Sequence, residues 1–340
     1  MVAGIDADDV AERCRTHAGR GTMAVVDDAT AAWLLDGDPA VRWRTCELIG
    51  APAAGVARER DRVATDGWGA RLLGLQDPDG GWGEGAYSPK WTSTTYTLLH
   101  LMWLGLPAEN PAALRGLEQV WGWWSRRRVP ETCITAILVR LTCTLGVTAP
   151  RVDDLVADLL SQQQHDGGWN CATRTDRAKH SSFHTSIQAL EALLAYERSG
   201  GGLATSSAQQ RGRQFFLDHR LYCSHRTGQV AIPASTRFPA FPEWHFDVLR
   251  GLEHLTDADA DRDERLTDAI TVVRGGRRRD GRWVTYAAYP ASRGQWFELE
   301  PRGPSRWTTV RALRVLRWWE GVSAVHTGTT PPPADDRRRC

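Results

Sequence analysis

The feature that most constrains this chain is a spacing that occurs twice and then a third time in weaker form. Leu72, Gln76, Gly80 and Trp82 return as Leu159, Gln163, Gly167 and Trp169, and Arg277, Gly281 and Trp283 form a degenerate third copy. Each copy sits where an amphipathic segment stops. Glycine permits the left-handed backbone that closes a helix, and glutamine can bind the backbone groups that a helix end leaves free. Tryptophan then covers the joint. Self-similarity at this period is the signature of stacked helical hairpins.

A second segment follows each turn, and its openings superpose without gaps when aligned on a threonine. Ser93-Thr94-Thr95-Tyr96, Glu131-Thr132-Cys133-Ile134, His184-Thr185-Ser186-Ile187 and Trp307-Thr308-Thr309-Val310 are the four copies, with a looser fifth near Trp244-His245-Phe246-Asp247. Serine and threonine here suit helix N-caps. The first helix of each hairpin is polar along one side, whereas the second is small or apolar nearly all round and is therefore expected to be buried. Alternating half-exposed and buried helices close into a double circle. The expectation is an all-α protein, an α/α toroid over 61–325, whose inner helices run parallel and gather their N-termini at one mouth. An N-terminal helical extension is expected over 1–60, with helices over 7–18, 27–35 and 39–49. The last of these is capped by Asp38 and carries proline in its first turn; it resembles the entry to a helical-repeat pair, though a layer over the main core is the favoured reading. Residues 198–211 read as a Gly/Ser-rich loop and 326–340 as a disordered tail.

Composition removes several classes of function. A formal net charge of +1 argues against a nucleic-acid or membrane-surface partner. No apolar run approaches the roughly 20 residues of a membrane-crossing helix, and the N-terminus lacks an apolar signal core. A cytoplasmic protein is expected. The seven cysteines are scattered, odd in number and without a CxxC pair, which argues against a disulfide framework.

The Gln-x3-Gly-x-Trp elements at Gln76–Trp82 and Gln163–Trp169 resemble the repeats of squalene-hopene cyclases, within the terpenoid cyclase and protein prenyltransferase superfamily. The resemblance spans roughly residues 68–319 and implies the α/α toroid. A second likeness is to the beta subunits of protein prenyltransferases. There, an Asp-x-Cys opening one inner helix and a histidine in a His-Thr context opening a later one hold a catalytic zinc. Here Glu131-Thr132-Cys133 and His184-Thr185 stand at those openings, with glutamate in place of aspartate.

Several residues carry chemistry if the openings face one another. Glu131, Cys133, Cys171, His184 and His245 form a candidate Zn(II) set, since thiolate, imidazole and carboxylate suit that ion. The alternatives are that Cys133 is a small core residue and His184 a cap bonded to backbone, or that Cys133 or Cys171 acts directly as a nucleophile beside His184. A basic loop containing Arg174, Arg177, Lys179 and His180, together with Lys90 and Arg126–Arg128, can hold a diphosphate or a carboxylate. Trp91, Tyr96, Trp244 and Trp307, near the openings, can line a pocket for a small hydrophobic substrate and offer π faces to a cation. Asp6-Ala7-Asp8-Asp9 has the letters of an alkene-protonating acid but lies far from the repeats, which leaves Asp247 as the acid of a metal-free cyclase or isomerase, or else as a buried partner to an arginine such as Arg250 or Arg306. The resemblance implies an isoprenoid substrate and a prenyltransferase- or cyclase-like enzyme. The reading from another class is a non-enzymatic toroid that binds a lipid-like ligand or a partner.

Overall fold

The computed structural model describes residues 26–127, 131–147, 150–175, 180–286 and 296–321. Expectations for the segment 7–18, Asp6 to Asp9, Arg128, Arg177, Lys179 and the tail lie outside the described residues. The regular structure of the described residues is helical apart from an isolated bridge between Cys223 and Val230 and a two-residue antiparallel pair, β1 (Trp283–Val284) and β2 (Pro304–Ser305).

The N-terminal helices form where the sequence supplies caps. Asp27 accepts from Thr30 N–H ahead of α1 (Asp28–Leu35), and Asp38 accepts from Ala40 N–H ahead of α2 (Pro39–Leu48). Next come α3 (Ala53–Asp61), α4 (Gly67–Leu73), α5 (Thr94–Leu104), α6 (Pro111–Ser125), α7 (Thr132–Thr144) and α8 (Pro150–Ser161). The remaining helices are α9 (Phe183–Arg198), α10 (Ser206–Asp218), α11 (Val248–Asp257), α12 (Thr267–Gly275) and α13 (Arg306–Glu320). Helix α10 shortens the loop expected over 198–211. Its Ala208, Gly212 and Phe215 are buried, and this apolar face outweighs the local Ser and Gly content.

The repeated turn is built alike three times. Gly80, Gly167 and Gly281 take φ of +90°, +89° and +79°, the region where a side chain is strained. Gln76 Nε2 donates to the Gly80 and Ala112 carbonyls at 2.8 and 2.7 Å. Gln163 does the same to Gly167 and Ala208 at 2.7 and 2.8 Å, and Arg277 Nε reaches Gly281 O at 3.1 Å. The indole N–H groups of Trp82, Trp169 and Trp283 donate to Leu72, Leu159 and Val273 carbonyls at 2.7, 2.8 and 2.8 Å. Each tryptophan's backbone N–H is received by a hydroxyl in the first turn of the helix that follows, from Thr94, Ser186 or Thr309. The first copy is therefore one residue out of the gap-free alignment: Thr94, not Thr95, is the counterpart of Ser186 and Thr309.

The repeat also extends into the outer helices. Arg115 and Arg211 donate to the side-chain oxygens of Gln76 and Gln163, and one residue further on Gly116 and Gly212 face the two tryptophans. Ala-x-x-Arg-Gly thus recurs at Ala112–Gly116 and Ala208–Gly212.

One set of helices packs in succession: α5 on α7, α7 on α9, α9 on α11, α11 on α13 and α13 on α2. Helices α6, α8, α10, α12 and α3 lie on α5, α7, α9, α11 and α2 respectively. On α2, Trp43 Nε1 donates to Leu104 O at 2.9 Å and Arg44 to the Leu104 and Trp103 carbonyls, all at the end of α5. Ala40 and Val41 of α2 are wholly buried. Helix α2 is a core element of this succession rather than a layer over it. No helix among the described residues is long and apolar enough to cross a membrane.

Candidate functional site

The site is assembled from the openings of α7 and α9 and from the chain that leaves the Trp169 turn. Glu131 is the N-cap residue of α7, and Cys133 stands in that helix's first turn. Trp169 is locked by its two hydrogen bonds, so the chain beyond it enters a short 3-10 helix, Cys171–Thr175, with Cys171 at its head. There the Cys171 Sγ accepts the Cys133 backbone N–H at 3.3 Å and lies 3.4 Å from Thr185 Oγ1 in the first turn of α9. Cys133 Sγ lies 4.0 Å from Glu131 Oε2. One ligand atom each from Glu131, Cys133 and Cys171 fall within 4.8 Å of one another.

The two thiols differ in acidity because each acts on the other through a hydrogen bond. The Cys133 thiol donating toward it pulls Cys171 down to about 7, with help from Thr185 and the Cys133 N–H and against the effect of burial. The same contact and then burial push Cys133 well above its ordinary value. A sulfur anion at Cys171 is therefore held by a helix N-terminal N–H, a setting that favours thiolate.

An aromatic wall adjoins the thiols. Tyr87 stacks on Trp123 at 5.1 Å and meets Tyr96 with 3.3 Å between the two hydroxyl oxygens. Trp91 lies edge-on to Tyr96 at 5.1 Å and 6.0 Å from the His245 ring. His245 stacks on Trp244 at 3.7 Å, Lys90 Nζ sits 4.9 Å over Trp244, and His184 packs edge-on to both Trp244 and His245. Burial raises Tyr87 to about 12, with the charges of Cys133, Glu131 and Cys171 adding to it.

His184 and His245 stand outside the thiol and carboxylate set. Burial lowers His184 to about 4 and His245 to about 3, so both rings are neutral at neutral pH. His184 Nδ1 accepts the Phe246 N–H at 2.8 Å, which places the single ring proton on Nε2. Neither nitrogen then offers a lone pair to a metal, and the backbone-bonded alternative describes His184 as it stands. Trp307 is also remote in role: it is buried edge-on to Trp68 and Phe241 and donates to Ala240 O. Arg174 belongs to the short 3-10 helix after Cys171, and its side chain lies outside the described residues along with Lys179.

Asp247 caps α11 through Arg250 N–H at 2.9 Å, while its Oδ2 is buried with no hydrogen-bond partner. Burial raises it to about 6, against the pull of Arg311. Its charged neighbours belong to a buried ionic lattice that the sequence reading did not find. Glu191 on α9 is gripped by Arg140 of α7 at 2.6 Å and by Arg250 of α11 at 2.5 and 2.9 Å. Glu253 pairs with Arg311, and Asp257 with Arg314. The available signal was the 250, 253, 254 and 257 spacing on α11, a charged stripe at helical period.

Also unforeseen is a buried pair, His100 Nε2 to Glu243 Oε1 at 2.6 Å, with Glu243 Oε2 lacking a hydrogen-bond partner. Phe241 stacks on His100 at 4.2 Å. With Leu72, Trp296, Phe297 and Leu299 the two line a void of about 10 Å³, too small for more than about one water. His100 was visible as the lone imidazole in the apolar run of α5, but nothing in the sequence marked Glu243 as its partner.

No protein-family model matches the chain, and no curated protein sequence does. Among solved structures, the chain is similar to a protein from Actinoplanes at 18% identity and a TM-score of 0.41, over 83% of this chain and 90% of that one.

Proposed function

We propose that the protein is a zinc-dependent enzyme on an α/α toroid that acts at the mouth of the barrel on a small hydrophobic substrate of isoprenoid type. The toroid reading is supported by the order of inner-helix packing, which runs from α5 through α13 to α2 and returns to α5 through Trp43 and Arg44. The observation that carries the metal reading is the meeting of Glu131, Cys133 and Cys171 within 4.8 Å. Two sulfurs and a carboxylate oxygen suit Zn(II), and three protein ligands leave a position for substrate.

Glu131, Cys133 and Cys171 would hold the ion, and when bound it supplies a Lewis acid and stabilises a sulfur or oxygen nucleophile at neutral pH. The protein's own residues supply the rest. The Cys133 N–H and Thr185 hydroxyl steady the Cys171 sulfur. Tyr87 and Trp91, both half-buried, would present apolar faces to an isoprenoid chain and π density to a developing cation, while Tyr96, expected beside them, is wholly buried and backs the pair. Lys90, exposed beside Trp244, offers a positive charge to an anionic leaving group such as diphosphate. The ionic lattice among α7, α9, α11 and α13 disfavours an apolar guest deeper in the barrel.

Metal analysis of untagged protein tests this reading. Near-stoichiometric zinc, lost in Cys133→Ala and in Cys171→Ala while helicity is kept, is expected. Folded wild-type protein that binds no zinc at micromolar excess removes the metal mechanism. A second reading, acid catalysis by Asp247, draws on its raised pKa of about 6 and its unpartnered Oδ2. Product formation from an isoprenoid substrate that survives Cys133→Ala but fails in Asp247→Asn would select it.

A further inference from the structure

The two thiols that meet at the mouth are a pair as well as a ligand set. Cys133 and Cys171 are free and half-buried, 38 positions apart in sequence, and their sulfurs lie within 4.8 Å. The other described cysteines, Cys46, Cys143 and Cys223, are buried. The Cys171 sulfur is backed by the Cys133 N–H and by Thr185 Oγ1, while the Cys133 sulfur turns toward Glu131.

We propose that Cys133 and Cys171 form a reversible disulfide, so that the mouth is a redox-controlled site. The oxidant class is a low-molecular-weight disulfide. The Cys171 thiolate attacks one sulfur of that disulfide, forming a mixed disulfide and releasing one small thiolate. Cys133 then gives up its proton to solvent, and its sulfur attacks the Cys171 sulfur, expelling the second small thiolate. Two protein thiols are oxidised, one small disulfide is reduced to two thiols, and the product ties the first turn of α7 to the chain leaving the Trp169 turn. Neither sulfur then has a charge to offer a metal, so disulfide and zinc exclude each other. This last consequence rests on the zinc reading; the disulfide itself does not.

The test uses full-length protein, freed of metal with a chelator and exposed to glutathione disulfide. Expected are the loss of two titratable thiols and a proteolytic fragment in which the Cys133 and Cys171 peptides are joined, both reversed by dithiothreitol. In Cys133→Ser, Cys171 is expected to retain one glutathionyl group, because the sulfur that would displace it is gone. Wild-type thiols that stay free, or that each carry glutathione without joining, overturn the proposal. The same reaction after incubation with zinc chloride separates the two ideas. Slowed oxidation supports exclusion by the metal; oxidation at an unchanged rate leaves the disulfide standing and counts against zinc.

Discussion

Replacing Glu191 with glutamine tests whether the ionic lattice holds α7, α9 and α11 together. Glu191 is 9% exposed and Arg250 only 2%, and each contact to the two guanidiniums is 2.5 to 2.9 Å. At an effective dielectric constant near 20, an ion pair at that distance attracts with about 6 kcal/mol before the cost of desolvation. Burying three charges offsets much of that gain, but the variant does not recover the desolvation of the arginines. It leaves two buried cations without a counter-charge, a change that costs about 3–5 kcal/mol when one member of a buried pair is removed. Against a domain stability of about 5–15 kcal/mol, the loss is large.

Urea unfolding followed by circular dichroism should show it as a lower midpoint with an unchanged slope. The pH dependence gives a second reading. The guanidiniums of Arg140 and Arg250 hold Glu191 below its ordinary value of 4.5, against the effect of burial. A depressed carboxylate stabilises the fold fully above its unfolded pKa and loses that contribution as the pH falls through its folded pKa. The gap between wild type and Glu191→Gln should therefore be widest at neutral pH and narrow in acid below pH 4.5. A cost under about 1 kcal/mol at pH 7, or a gap independent of pH, would refute the reasoning.

Three further outcomes follow from the geometry. Trp169→Phe removes the indole donor from a buried Leu159 carbonyl and leaves a gap, so equilibrium unfolding should register a loss of about 2–4 kcal/mol, and Trp82→Phe should behave alike. On α6, a Cβ at Gly116 would lie 2.5 Å from Trp82, whereas one at Gly122 meets nothing nearer than Arg126 at 3.7 Å. Gly116→Ala should destabilise by about 1–3 kcal/mol in thermal melts, and Gly122→Ala should stabilise by up to about 1 kcal/mol. Asp247 binds its proton more tightly folded than unfolded, so wild-type stability should fall as pH rises from about 4 to about 6, and Asp247→Asn should flatten that segment of the curve.

The hairpin repeat was legible because its constraints are local. A glycine at positive φ, a glutamine four residues before it and a tryptophan two after it act within one turn, and spacing alone exposes them. The one-residue slip at Thr94 was not legible, because the loop from Trp82 to α5 is shorter than its counterparts and helix alignment cannot see which hydroxyl meets the indole backbone. The pairing of Cys133 with Cys171 was suggested by their places at a turn and an opening. The exclusion of His184 depended on the Phe246 N–H, a backbone contact 62 residues away. The lattice around Glu191 was hidden for a similar reason. Arg140 is the single charge in α7 and Glu191 stands between apolar residues in the middle of α9, and only packing of α7, α9 and α11 shows that they answer one another.

The seam that α13 makes with α1 and α2 bears on how the chain matures. Arg306 donates to the Trp33 carbonyl and Arg317 to that of Leu48, contacts that span 273 and 269 residues. Surfaces of α2 that end wholly buried must wait, apolar and uncovered, until the last described helix leaves the ribosome. Such long-range closure slows folding and prolongs exposure to aggregation. Truncating the chain before Arg306, or deleting residues through Leu48, would strip the same seam from opposite sides, so vectorial synthesis delivers the helices in order but cannot finish the core until the end.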